Sequence, residues 1–123
     1  MKQDVAPTDW AAVPEVVQQI AADGPEPFDA ALIANTGDLV EWLTRFAPDP
    51  VVLRGYWPTI IFDWDACSIE VFADRLELFR PGGDGQPLDF VYEFHEPGFA
   101  FSKDFADDLG ALLGVPLYVL PGS

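Results

Sequence analysis

The apolar residues of this chain change their spacing at Pro48-Asp49-Pro50, and this change constrains the fold more than any other sequence feature. Before this segment, apolar residues recur every three to four positions, as on one face of a helix. After it, apolar and polar residues alternate, as along a strand with one side towards a core. A chain with helices first and alternating strands afterwards is typical of the α+β class.

The first half of the chain predicts two main helices. The first covers residues 14–22 and carries a proline in its first turn, where proline is tolerated. Residues 29–34 predict a further turn or two, interrupted at Asn35-Thr36-Gly37. An amphipathic helix over residues 38–46 follows, and the two prolines after it end it. Residues 1–13 have no clear period, and we expect an extended lead-in there.

The second half predicts an antiparallel meander of three to four strands. In residues 60–65, Ile60, Phe62 and Trp64 are expected to point to one face of a strand. Ile61, Asp63 and Asp65 are expected to point to the other face. The stretch from residue 69 to 80 predicts a hairpin that pairs Val71 with Leu78 and Ala73 with Leu76. This register keeps the apolar residues on one face.

The end of the chain predicts one more strand of the meander, a helix and an edge strand. Phe90, Tyr92 and Phe94 alternate with Val91, Glu93 and His95, so we expect the three aromatic side chains to face the core. Ser102 suits a helix N-cap and Gly114 suits its C-terminal end, while residues 116–120 predict the edge strand. We expect residues 1–123 to form a single domain with helices on one face of the sheet.

The charge of the chain bounds its partners. It carries 21 Asp and Glu against 6 Lys and Arg, a net charge of −15, yet half of its residues are hydrophobic. An acidic chain with this many apolar residues folds, whereas acidic tails without them do not. Direct binding to nucleic acid or to an anionic membrane is disfavoured, because both depend on basic side chains. The single cysteine, Cys67, excludes an internal disulfide and favours a reducing cytoplasm.

Catalytic motifs are absent from the sequence. His95 has no nucleophile tied to it by a recognisable spacing, so we interpret it as a lone surface histidine at a strand end. Cys67 is expected to be a small buried thiol rather than a nucleophile. A small metal-dependent enzyme remains an alternative, because Asp63, Asp65, Glu93 and His95 offer oxygen and imidazole ligands. No cofactor motif occurs.

The sheet face turned away from the helices is the predicted partner-binding site. This face combines acidic and aromatic side chains. If the strands alternate as expected, its partner-binding residues are Asp63, Asp65, Glu70, Phe72, Glu77, Phe79, Glu93 and His95. Aromatic side chains supply burial at an interface, and carboxylates supply steering towards a basic partner. The alternative is that a helix or a second copy of the chain covers the phenylalanines, as in a homodimer.

These observations predict a non-enzymatic, acidic inhibitor protein that binds the basic surface of a partner protein. An immunity protein or antitoxin that neutralises a nuclease-type toxin fits best, because nucleases hold phosphates with Lys and Arg. The alternative is a nucleic-acid mimic of phage origin with anti-restriction or anti-CRISPR activity, which requires carboxylates spaced like phosphates.

Overall fold

The computed structural model describes residues 7–23, 28–55, 59–64, 66–80 and 89–117. The chain is an α+β protein with a five-stranded antiparallel sheet and three α-helices, as the sequence predicts. A short 3-10 helix precedes α1. The elements are α1 (Val13–Asp23), α2 (Ala30–Leu43), β1 (Val51–Arg54), β2 (Ile60–Trp64), β3 (Cys67–Val71), β4 (Arg75–Arg80), β5 (Asp89–Phe94) and α3 (Lys103–Leu113).

The strands lie in chain order across the sheet, and each pairs with the next. Register aligns Val52, Phe62, Ile69, Leu78 and Val91 across all five strands. Four of these side chains are buried, and Val91 packs against them as a partly buried residue. One side of the sheet is therefore a continuous apolar layer, as period-two alternation predicts.

The helices pack on this apolar layer and complete the core. Val13 and Val17 of α1, Leu39 and Leu43 of α2, and Leu109 of α3 are buried in the same cluster as the sheet residues. Burial of apolar surface contributes about 25 cal/mol per Å² relative to water, so this layer dominates the stability of the fold. No helix in the described residues is long and apolar enough to cross a lipid bilayer.

The expected extended lead-in is partly wrong. Residues Trp10–Ala12 form a 3-10 helix that leads into α1. The Trp10 ring is buried, and its indole N–H donates to the Ala47 carbonyl at 2.9 Å. A single tryptophan thus anchors a segment in which the sequence shows no period. Residues 1–6 lie outside the described part of the chain.

The expected interruption of the second helix is also wrong, because α2 runs without a break through Asn35-Thr36-Gly37. The Thr36 hydroxyl donates to the Leu32 carbonyl at 2.8 Å, one turn back. The fully buried Asn35 amide donates to the carbonyls of Phe72 and Ala73, at 3.1 and 3.0 Å. The Thr36 hydroxyl and the Asn35 amide N–H groups therefore have partners inside a helix, which local propensity alone disfavours, while the buried Asn35 Oδ1 has no hydrogen-bond partner within the described residues.

The β3–β4 hairpin has a different register from the predicted one. Val71 pairs with Leu76 and Ile69 with Leu78, a shift of two residues. The shift preserves the faces, because side chains repeat every second residue, so the apolar pattern fits both registers. The observed register gives a tight turn at Ala73-Asp74, closed by the Phe72 amide on the Arg75 carbonyl at 2.9 Å.

Strand β5 is present, but its phase is opposite to the prediction. Val91 and Glu93 share the helix side of the sheet with Leu78 and Leu76, and Tyr92 and Phe94 face away.

The predicted ends of the last helix are confirmed: Ser102 is its N-cap, and Gly114 ends it with φ of +70°. The predicted edge strand at residues 116–120 falls mainly outside the described residues. Strand β1 was not predicted, because it is four residues long and follows a proline segment.

We expect Asn35→Ala to lower the free energy of unfolding by about 2 kcal/mol, because it leaves two turn carbonyls without their donor. The control is Ile33→Ala, which truncates a side chain that is 38% exposed on the same helix. Chemical denaturation of the wild type and of both variants measures the effect. The control should cost less than about 1 kcal/mol. Equal losses in the two variants would show that Asn35 contributes only helix packing.

Candidate functional site

The candidate site is the side of the sheet that faces away from the helices, called the open face below. None of its described side chains belongs to the buried core. By strand register and alternation, the open face carries Leu53, Ile61, Asp63, Glu70, Phe72, Arg75, Glu77, Phe79, Tyr92 and Phe94. It is a mixed surface of carboxylates, aromatic rings and aliphatic side chains.

Five of the residues predicted for partner binding lie on the open face: Asp63, Glu70, Phe72, Glu77 and Phe79. All five are half-buried, so their side chains pack among neighbours while keeping part of their surface in water. Glu93 and His95 do not join them, because the phase of β5 turns both towards the helices. Asp65 lies outside the described residues. The prediction that one face combines acids and aromatics therefore holds for β2, β3 and β4.

A basic side chain is built into this acidic surface. Arg75 donates to Glu77 at 2.7 Å and to Asp74 at 2.8 Å. Its guanidinium lies over the Phe72 ring, 4.1 Å from the ring centroid. The hydrogen bond to Glu77 contributes most to raising the Arg75 pKa above its ordinary value. Arg54 of β1 donates to the Ile20 carbonyl of α1.

Glu70 is held in place on the open face by a hydrogen bond from the Thr59 hydroxyl. Gly55 leaves the space for this pair, since a Cβ there would lie 1.9 Å from the Thr59 oxygen and 2.6 Å from a Glu70 oxygen. The carboxylate of Glu70 is thus positioned before any partner arrives. A preorganised acceptor of this kind costs less to order on binding than a free side chain.

Three large aromatic side chains near β5 are exposed. Tyr92 is 57%, Phe94 75% and Phe99 66% accessible to solvent. Sequence reasoning missed Tyr92 and Phe94 as surface residues, because it assigned the aromatic phase of β5 to the core. The signal available in the sequence is the other phase of β5, which carries Glu93 and His95. These polar side chains can face the helices only if they have hydrogen-bond partners elsewhere in the chain.

His95 is not a surface histidine, because only 4% of it is accessible. Its Nε2 lies 2.9 Å from Asp38 Oδ2 of α2, and its ring stacks on Phe101 with centroids 4.2 Å apart. The same Asp38 oxygen accepts from the Gly98 amide at 2.8 Å. The pair therefore ties the segment after β5 to α2, which is a structural role.

Glu93 also has a structural partner. Its carboxylate accepts from the Ser102 amide at 2.6 Å and from the Ser102 hydroxyl at 2.8 Å. Ser102 in turn accepts from the Phe105 amide and caps α3. Asp63 lies on the opposite side of the sheet, so Asp63, Glu93 and His95 do not form one ligand set. The described residues contain no cluster of three or more potential metal ligands.

Cys67 is a buried free thiol, as predicted. Burial raises its pKa to about 11, and the nearby Asp63 carboxylate adds to the shift. A thiol with this pKa is protonated at neutral pH and is a poor nucleophile. The arrangement around Cys67 therefore favours packing over covalent chemistry.

Comparisons with known proteins give no relative for this chain. No family model, no curated protein and no solved structure matches it. The geometry of the open face therefore carries the evidence on function.

We expect truncation of the aromatic residues to separate surface rings from core rings. Phe94→Ala should change the free energy of unfolding by no more than about 0.5 kcal/mol, because its ring is mostly in water. Phe72→Ala should cost about 1–2 kcal/mol, since it loses partial burial and the contact with Arg75. Phe62→Ala, in the core, should cost about 3–5 kcal/mol.

Thermal or denaturant unfolding of the three variants measures these differences. A Phe94→Ala variant as unstable as Phe62→Ala would show that the face near β5 is covered within the fold.

Proposed function

We propose that this chain is a non-enzymatic inhibitor protein that binds the basic surface of a partner protein. The favoured type is an immunity protein or antitoxin that neutralises a nuclease-type toxin in the cytoplasm. The observation that carries the proposal is the open face, where aromatic side chains lie among carboxylates on a chain of net charge −15.

The electrostatics support a basic partner. The charge of the whole chain attracts a positive surface over several ångströms and raises the rate of encounter. Nuclease active sites are positive surfaces, because they hold phosphates with lysine and arginine side chains. A protein that covers such a site with carboxylates blocks the access of nucleic acid.

The aromatic side chains support a compact interface rather than mimicry of nucleic acid. Tyr92 and Phe94 expose most of their rings beside the half-buried Phe72 and Phe79. Large exposed rings become the buried anchors of protein interfaces, where a few residues supply most of the affinity. A nucleic-acid mimic instead needs regularly spaced charges over an extended surface and gains little from exposed rings.

The side chains with catalytic potential support a binding role. His95 and Glu93 each have a structural partner, and Cys67 is buried and protonated. On the open face, Glu77 is held by Arg75 and Glu70 by Thr59. These contacts support a role in binding rather than in catalysis.

Capture from the native host is the first experiment on this proposal. The wild-type chain, Phe94→Ala and the matched control Asp108→Asn serve as baits, and partners are identified by mass. A nuclease that binds the wild type and the control, that loses affinity for Phe94→Ala and whose activity the wild type inhibits supports the proposal. A captured partner that is not inhibited in any activity on nucleic acid contradicts it.

We further expect the association with the partner to depend strongly on salt. The on-rate should fall at least about tenfold as ionic strength rises from about 0.1 M to 1 M, because the Debye length shrinks from about 10 Å to 3 Å. The off-rate should change by less than about threefold, since aromatic anchors hold the formed complex. Surface plasmon resonance measures both rates.

An on-rate that stays constant across this range contradicts electrostatic steering. An off-rate that rises as steeply as the on-rate falls, together with unchanged binding by Phe94→Ala, supports the nucleic-acid mimic instead.

A further inference from the structure

A cleft of about 490 Å³ lies between the tip of the β3–β4 hairpin and the segment that follows β5. Asp74 lines it from the hairpin, and Phe94, His95, Glu96 and Phe99 line it from β5 and the following segment. Phe94 belongs to the open face as well, so the cleft continues that surface at one edge of the sheet. No residue of this cleft was predicted as a binding residue except His95.

The base of the cleft is rigidly held. His95 is fixed by Asp38 at 2.9 Å and by stacking on Phe101, and its own amide donates to the Asp74 carbonyl at 3.1 Å. Asp38 also accepts from the Gly98 amide, which fixes the turn that carries Phe99. The two sides of the cleft are therefore tied to each other and to α2. A preformed site of this kind binds a ligand without a large ordering cost.

The rim of the cleft has groups that find no partner among the described residues. Phe94 and Phe99 are 75% and 66% exposed, and within the described residues neither ring stacks on another. Glu96 is exposed, and its carboxylate makes no ion pair there. Two bare aromatic rings and a carboxylate around one concave site are suited to a cation with a flat face.

The protein itself contains an example of this recognition next to the cleft. Arg75 lies over the Phe72 ring at 4.1 Å and is held by Asp74 and Glu77, while Arg54 lies over the Phe28 ring at 4.9 Å. Both guanidinium groups thus use a phenylalanine face, and Arg75 adds carboxylates. In the cleft, aromatic rings and a carboxylate likewise lie around one site.

We propose that the cleft binds an arginine side chain from the basic surface of the protein partner. The inference rests on the proposed function, because it assigns one contact of that interface. The guanidinium stacks against Phe99 and Phe94 and donates to Glu96. Arginine suits the cleft better than lysine, because its planar group stacks on a ring while its edge donates to a carboxylate.

A titration followed by NMR tests the cleft without the partner. Uniformly ¹⁵N-labelled protein receives N-acetyl-arginine amide, and a parallel sample receives N-acetyl-citrulline amide, which has nearly the same shape but no charge. Sodium chloride equalises the ionic strength. We expect saturable shifts at the amides of Asp74, His95, Gly98 and Phe99 with the arginine compound, with half-saturation on the order of 10 mM. The citrulline compound should give no saturable shifts there.

Two surface variants give the readout for individual residues. Glu96→Gln and Phe99→Ala should each weaken the binding of the arginine compound by about threefold or more. The control Asp108→Asn removes the same charge from the exposed face of α3 and should leave the affinity unchanged. Equal shifts with arginine and citrulline, or an equal loss in Asp108→Asn, would overturn the proposal.

The result separates this inference from the proposed function. If the cleft binds arginine and the captured partner is no nuclease, the recognition stands while the proposed target fails. If a nuclease is inhibited and the cleft does not bind arginine, the inhibitor role stands and the proposed arginine contact is wrong.

Discussion

Two polar contacts, one of strand β5 and one of the residue that follows it, determine which surface this protein presents. Glu93 turns towards the helices to hold the N-terminus of α3 through Ser102, and His95, the first residue after the strand, turns inward to Asp38 of α2. Since side chains alternate along a strand, these contacts place Tyr92 and Phe94 on the opposite side. The protein thus keeps two aromatic rings in water, where hydrophobic burial alone would not leave them.

The same contacts connect the fold to its proposed role. The helices and the sheet share one apolar core, and the polar contacts of α2 tie that core to the hairpin tip and to the segment after β5. The open face and the cleft are built on these fixed elements. Carboxylates there are held by Thr59 and Arg75, so an approaching basic surface meets groups that are already ordered. Such preorganisation lowers the ordering cost of binding, which supports the proposed inhibitor role.

Local patterns in the sequence were sufficient for the fold class, the strand faces of β2 to β4 and the caps of α3. They were insufficient where long-range polar contacts decide the outcome. Asn35 belongs in a helix because its amide finds carbonyls 37 and 38 residues away. A two-residue shift of the hairpin leaves its faces unchanged, so the pattern has no preference between registers. On β5 both phases contain apolar residues. The prediction placed the phase with three aromatic residues in the core, rather than the phase with a valine, a glutamate and a histidine. The five acids and aromatics placed correctly lie on or beside strands in which one phase is almost entirely apolar, so only that phase fits the core.

The phase of β5 is the central claim, and solvent paramagnetic relaxation tests it most directly. A soluble gadolinium chelate broadens the NMR signals of accessible side chains. The account predicts strong broadening for the ring protons of Tyr92 and Phe94, comparable to Phe99, and protection for the Val91 methyl groups and the Phe105 ring. Protected Tyr92 and Phe94 rings with broadened Val91 methyl groups would contradict it and would remove the exposed aromatic anchors from the proposed interface.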